Sequence, residues 1–386
     1  MFIFVFISVF GLINFYVFLR GWQSLPSGSG FRLAYVILYW LAASAYIFSR
    51  GVENILPRIF TEVLTWIGSF WIAALLYLLL ALLFLDALRV VNHFLPFFPG
   101  VVTENYARAK CATAGVVLGA IALTLIGGYI NSRVPRVREL ELSVNKQAGE
   151  LRSLNIVMAS DIHIGTIVGR SRLETLVDKI NALSPDIVLL PGDVVDSSIE
   201  LIIRENLGED LKRLQARHGV FACLGNHEYI GSGGESAARY LTEHNVTVLR
   251  DQSVKIGDFF SIIGRDDRSM SRRSGRSRKD LKLLADEVDS RLPVILLDHQ
   301  PFALHEAAEN GVDLQLSGHT HYGQLWPLNY VVEAIYELAW GYKRIGDTHY
   351  YVSNGAGTWG PPVRIGNRPE IVHIRLTFTK FPGNVE

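Results

Sequence analysis

The first third of the chain limits its fold more than any other feature. Four apolar stretches, residues 1–19, 33–48, 63–88 and 112–130, approach or exceed the length needed to cross a hydrocarbon core. The third is interrupted only by Asp86, near its end. Trp22, Tyr35, Trp40, Trp66 and Tyr129 lie near several ends, where aromatic rings sit at headgroup level. A signal peptide would need a basic start and a small-residue cleavage site, and Met-Phe-Ile-Phe-Val-Phe carries no charge. Residues 1–130 are therefore expected to form an all-α transmembrane bundle of four helices, multi-pass in the cell membrane and in contact with its lipids. Arg50, Arg58, Arg133, Arg136 and Arg138 would flank one side, and Arg20, Arg32, Arg89, Arg108 and Lys110 the other. That tally ties. The basic exit after the last span tips the expectation toward a cytoplasmic placement of the rest.

Residues 131–154 are polar and mixed in charge, and read as a linker. Residues 155–386 read as an ordinary globular domain. Here the 37 basic and 37 acidic residues of the chain matter, because a balanced charge argues against a nucleic-acid partner. Within the domain, apolar runs alternate with helical spacing. Runs at 155–160, 186–190 and 219–224 are separated by helical patterns at 171–183 and 199–214. Further strands are expected at 246–249, 253–263, 293–297 and 313–316, with a helix at 302–309 and strand-like pieces from His349 onward. The pattern is that of an α/β domain with a largely buried sheet.

Apolar runs repeatedly end in Asp, Asn or His. Ligands collect just outside the carboxyl ends of strands in open α/β sheets. Five such ends carry Asp161 with His163, Asp193, Asn226 with His227, His299, and His319 with His321. These groups offer oxygen and imidazole donors and no thiolate, which suits Mn, Fe or Zn. Even without His227, the seven remaining ligand-type residues exceed what one tetrahedral ion needs. Two divalent ions about 3.5–4 Å apart can clamp the attacking and leaving oxygens of an in-line displacement, which is phosphoester chemistry.

These motifs resemble those of the calcineurin-like metallophosphoesterases: Asp161-Ile162-His163, Gly192-Asp193-Val194-Val195-Asp196, Gly225-Asn226-His227-Glu228, His299, and Gly318-His319-Thr320-His321. Ser184-Pro185-Asp186, Gly323-Gln324, and Ser353-Asn354-Gly355-Ala356-Gly357 leading to Arg368-Pro369-Glu370 are similar to the bacterial membrane-tethered phosphodiesterase branch. The resemblance implies a four-layer α/β/β/α sandwich. It implies that Asp161, His163 and His321 hold one metal, that Asn226, His299 and His319 hold the other, and that Asp193 bridges them. A metal-bridging hydroxide would attack phosphorus. His227, oriented by Asp196, would serve the leaving oxygen without binding metal. The expected activity is hydrolysis of phosphoester or pyrophosphate bonds by a phosphodiesterase acting on a membrane or envelope substrate, a lipid-linked one among the candidates. A broad-specificity phosphomonoesterase and a scaffold or sensor with a vestigial site stand as alternatives.

Other residues read as structural. Cys223 falls inside an apolar strand, His218 in a solvated loop, and His305 on a helix surface. Asp298 should point away from its neighbour His299. His349 has no partner nearby in sequence, and His93 lies just past a span. The basic stretch 265–279 reads as a solvated loop, or else as a contact for anionic headgroups or a substrate phosphate.

Overall fold

The computed structural model describes residues 2–380 apart from 27, 29, 53, 54, 197, 198, 231–233, 272–274 and 276, and omits the side chains of 2, 3, 6 and 380. It divides into two units. One comprises Met1–Ile130 with Gly360–Val363, the other Asn131–Trp359 with Arg364–Glu386.

The first unit is helical: α1 (Phe2–Ser24), α2 (Phe31–Gly51), α3 (Arg58–Phe94), the short α4 (Gly100–Glu104) and α5 (Tyr106–Ser132). Among the described residues three helices, α2, α3 and α5, are long and apolar enough to cross a membrane. Residues 2–19 of the first stretch fall within α1, while residue 1 lies outside the described residues. The helix α3 outruns the expected 63–88. At 37 residues it is roughly 55 Å long, well beyond a hydrocarbon core of about 30 Å. Hydropathy marks only its middle, while Pro57 and Pro96 set its ends, because proline starts a helix well and cannot continue one. Small residues pack α2 on α3. Ala43, Ala45, Gly68, Ser69 and Ala73 are buried, and a Cβ on Gly68 would meet the Tyr46 backbone nitrogen at 2.3 Å. Large apolar side chains such as Leu38, Leu41, Val116 and Leu123 face outward. This inside-small, outside-apolar arrangement suits lipid and not water.

In the second unit, strands β1 (Arg136–Gln147), β2 (Ser153–Met158), β3 (Ile187–Pro191), β4 (Val220–Cys223), β5 (Thr247–Val248) and β12 (Glu370–Lys380) form one sheet in the order β1-β12-β2-β3-β4-β5. Strands β6 (Gln252–Ile256), β7 (Phe260–Gly264), β8 (Val294–Leu297), β9 (Leu314–Ser317), β10 (Gly341–Ile345) and β11 (Thr348–Val352) form the second, in the order β10-β11-β9-β8-β7-β6. The middle of each sheet is parallel, as the buried apolar runs require. Side-chain alternation then sorts residues into layers. Ile156 and Met158 of β2 meet Leu297 and Leu316 of the other sheet, while Val157 faces α6 (Arg170–Ala182), α7 (Ile199–Arg204) and α8 (Glu235–Glu243). On the far side, Leu296 and Val294 pack against α9 (Leu281–Ala285) and α10 (His305–Glu309). The result is the four-layer α/β/β/α sandwich.

Several local expectations differ from this structure. The segment 131–154 is no linker throughout: it carries β1, paired parallel to the C-terminal strand from Arg136↔Glu370 onward. Leu140, Leu142 and Val144 alternate with charged residues, so a strand buried on one face looks polar on average. The helix expected at 199–214 is broken. It becomes α7 and a 3₁₀ turn at Glu209–Arg213, separated at Asn206, which takes φ +47°. The run 253–263 is two antiparallel strands folded at Gly257. The helix expected at 302–309 begins only at His305.

Candidate metal centre

Each expected ligand, and His227 with them, sits just after a strand. Asp161 and His163 follow β2, Asp193 follows β3, Asn226 and His227 follow β4, His299 follows β8, and His319 and His321 follow β9. Asp161, His163, Asp193, His319 and His321 all take positive φ, between 46° and 72°. Non-glycine residues resist that conformation at a cost on the order of 1–3 kcal/mol each. The fold holds five of them there, and all five turn toward one site.

The structure brings these side chains together in three groups: Asp161 with His163 and His321, His163 with Asp193 and His227, and Asp193 with His299 and His319. Within each group the donor atoms lie within 4.8 Å of one another. His163 and Asp193 each belong to two of the groups, and Asp193 is the carboxylate common to two of them. Nε2 of His163 and Nε2 of His321 face each other at 3.0 Å. Two such nitrogens need a proton or a cation between them. His299 donates from Nδ1 to the Pro191 carbonyl at 2.9 Å, and its Nε2 lies 3.2 Å from Asp193 Oδ2. That is the usual support for an imidazole that ligates through Nε2. Asn226 Oδ1 and His163 Nδ1 are buried with no hydrogen-bond partner. Orphaned buried polar atoms are costly, and a cation at this place would satisfy the Asn226 oxygen. The donor set therefore fits a pair of divalent ions.

The electrostatics are consistent with that fit. Burial pushes His163 down to about 3 and His319 down to about 4, helped by neighbouring His227 and His299 respectively. Both are neutral donors at pH 7. Burial would raise Asp193, but the charges of His299 and His227 hold it well below the usual carboxylate range.

His227 belongs to one of the groups, so proximity alone does not separate it from the ligands. Its Nδ1 donates to Asp196 Oδ1 at 2.9 Å, and its ring lies edge-on to Trp359 at 5.8 Å. Two motif glycines are explained by close approach. A Cβ on Gly225 would meet Asp193 Oδ1 at 2.2 Å, and one on Gly318 would meet Asp161 Oδ2 at 2.1 Å.

Two residues at the site escaped the sequence reading. Glu228 is buried, and its carboxylate accepts from the backbone N–H groups of Asp193 (3.0 Å), Val195 (3.0 Å) and Gly225 (2.7 Å). It ties the loop after β3 to the loop after β4. Its place in Gly-Asn-His-Glu was the available signal. Glu228→Gln leaves one oxygen for three donors and turns an NH2 group toward them. The expected loss is about 3 kcal/mol, read as a lower urea midpoint. Arg364 is buried beside His321, donating to the Gly357 carbonyl (2.7 Å) and to the His321 carbonyl (3.1 Å). No spacing or motif marked it.

The residues read as structural are mostly so. Cys223 is buried in the inter-sheet core, and His305 is exposed. Asp298 points away from the site and pairs with Arg265 (3.2 Å) and Arg278 (2.9 Å). Of those two, Arg265 is buried and Arg278 is half-buried, so neither is a freely solvated loop residue, while Arg272, Arg273 and Arg276 lie outside the described residues. His218 is not a solvated loop residue either, since its ring packs against Phe259 and Phe260. His349 is buried and bonded to Tyr342 and to the Ser143 carbonyl.

A two-sheet sandwich with a buried His/Asp cluster at its strand ends is the arrangement of a metal-dependent phosphoesterase domain. Residues 154–323 match the family model described as calcineurin-like phosphoesterase. An uncharacterized metallophosphoesterase of Aquifex aeolicus is 34% identical over 266 residues, covering 67% of this chain and 98% of the relative. A Danio rerio protein named as a transmembrane protein with metallophosphoesterase domain is 32% identical over 292 residues, 70% of this chain and 66% of its own length. A Campylobacter jejuni metallophosphoesterase is 28% identical over 382 residues, 97% of this chain and 98% of that one, so the likeness extends through the helical unit. This chain belongs to the calcineurin-like metallophosphoesterase family.

Proposed function

We propose that the chain hydrolyses a phosphodiester or pyrophosphate bond in a membrane or envelope substrate. The observation that carries this reading is the buried His/Asp cluster beside the His227–Asp196 pair. Asp161, His163 and His321 would hold one divalent ion, and Asn226, His299 and His319 the other, with Asp193 shared. Mn, Fe and Zn suit these donors. Bound there, such ions supply Lewis acidity toward phosphoryl oxygens and a nucleophile at neutral pH. The chain supplies the proton. Asp196 fixes His227 with a hydrogen on Nδ1, and the Nε2 proton is the one that moves to the leaving oxygen. Burial alone would lower His227, but Asp193 and the bond to Asp196 raise it to about 9. The chain's own charges therefore favour the protonated ring that a general acid needs.

An apolar rim supports a lipid-linked substrate. The helix α11 (Leu328–Ile335) starts soon after His321 and has no buried residue. Leu328, Val331 and Ile335 share one face, Trp326 stands just before it, and Trp326 and the His227 neighbour Trp359 are each 51% exposed. Exposed apolar surface of this kind marks an interaction site. The helical unit would anchor the enzyme as a multi-pass membrane protein, with the basic exit segment 133–138 favouring a cytoplasmic catalytic unit. The test compares a water-soluble chromogenic phosphodiester with a lipid pyrophosphate in mixed micelles, with Mn²⁺ added. Val331→Asp with Ile335→Asp is expected to raise KM about tenfold or more for the lipid and to spare the soluble ester. Equal effects on both would remove the lipid assignment. Faster cleavage of monoesters than of either substrate would replace it with a phosphomonoesterase.

A further inference from the structure

The helical unit contains a cavity of about 720 Å³ between α1, α2, α3 and α5. Its wall is mainly apolar, with Val17, Leu78, Leu82 and Val117 among the lining residues. Four cations line it as well: Arg20, Arg32, Arg89 and Lys110. Arg20 lies near the end of α1, Arg32 near the start of α2, Arg89 near the end of α3 and Lys110 near the start of α5. The chain reverses between α1 and α2 and again between α3 and α5, so all four gather at one end of the unit.

No acidic residue lines the cavity among the described residues. Asp86 stands behind it, paired with Arg20 and with Arg89 (2.6 Å) and bonded by Tyr16 (2.7 Å). Arg32 donates to the Leu25 carbonyl at 3.0 Å and lies over the Trp22 ring, and Lys110 donates to the Gln23 carbonyl at 3.0 Å beside the Tyr106 ring. Four cations against one carboxylate leave three positive charges at the mouth of an apolar chamber. Cations that merely reach the headgroup layer point outward from a bundle. These converge inward. We propose that this cavity binds one anionic phospholipid, with an acyl chain against the apolar wall and the phosphate on the four cations.

The test uses the full chain in detergent, with lipid retention read by native mass spectrometry. Phosphatidylglycerol and phosphatidylcholine are titrated in, with inorganic phosphate as a competitor. One phosphatidylglycerol is expected to be retained at least about tenfold better than phosphatidylcholine. Arg32→Ala with Lys110→Ala, which breaks no ion pair of Asp86, should weaken retention about thirtyfold. It should leave hydrolysis of a soluble phosphodiester unchanged. Ala114→Phe fills the lined space with every charge in place and should also expel the lipid. Equal retention of the two lipids, full retention by both variants, or displacement by millimolar phosphate alone would overturn the proposal.

Discussion

Replacing His227 with Ala is expected to lower kcat on a phosphodiester by about 10²–10⁴-fold while the metal content of the chain stays the same. Both halves of that result matter. His227 lies in a group with His163 and Asp193, so geometry alone would allow it to be a ligand. Its bond to Asp196 argues for proton transfer instead. Metal content measured by plasma mass spectrometry separates the two, and a loss of metal in the variant would reassign His227 to the ligands. The pH profile gives a second reading. With His227 raised to about 9, activity should fall on the alkaline side as the ring loses its proton. Bound cations repel that proton, so the fall comes at or below pH 9. Asp196→Asn removes the stabilising carboxylate and should move the limb to lower pH. Stability follows the same sign. A folded pKa raised above the ordinary 6.5 adds stability below that pH, and the gain is lost as pH rises through about 9. In chelator, the difference in urea midpoint between the native chain and His227→Ala should therefore narrow from about pH 6 to pH 10.

Asp193→Asn should act on the other half of the site. Its carboxylate accepts the His227 backbone N–H at 2.9 Å, and it stands in two of the three donor groups. An amide offers one weak oxygen donor and no charge to offset two cations. Residues that only support metal ligands already change affinity by about 10–100-fold, so a shared ligand should cost at least about 100-fold. Titration calorimetry with Mn²⁺ on the native chain and on Asp193→Asn reads this directly. Unchanged affinity would show that Asp193 is not shared.

The fold class is legible in the alternation of apolar runs and helical spacing, and the candidate site in the residues that end those runs. Asp161, Asp193, His299 and His319 each follow an apolar run, and a strand end is a place sequence can mark. Their mutual approach was inferred from order and motif, and the positive φ values that aim them inward left no trace in residue type. The helix at 170–182 was read almost to its ends, because Leu173, Leu176, Val177 and Ile180 form a clean stripe closed by Pro185. The strand β1 was missed because one face is charged. The break at Asn206 was missed because helical spacing continues past it while the backbone does not. Glu228 was in view as part of its motif, but its three backbone partners come from two loops that only the sheet brings together.

The central claim is that this chain holds two divalent ions in a hydrolytic site. The most direct measurement is metal content per chain on the purified 386-residue chain, paired with hydrolysis of a soluble phosphodiester before and after chelation. Close to two ions per chain are expected, with activity lost in chelator and restored by Mn²⁺, Fe²⁺ or Zn²⁺. Less than one ion per chain with every metal, and no hydrolysis with any of them, would contradict it.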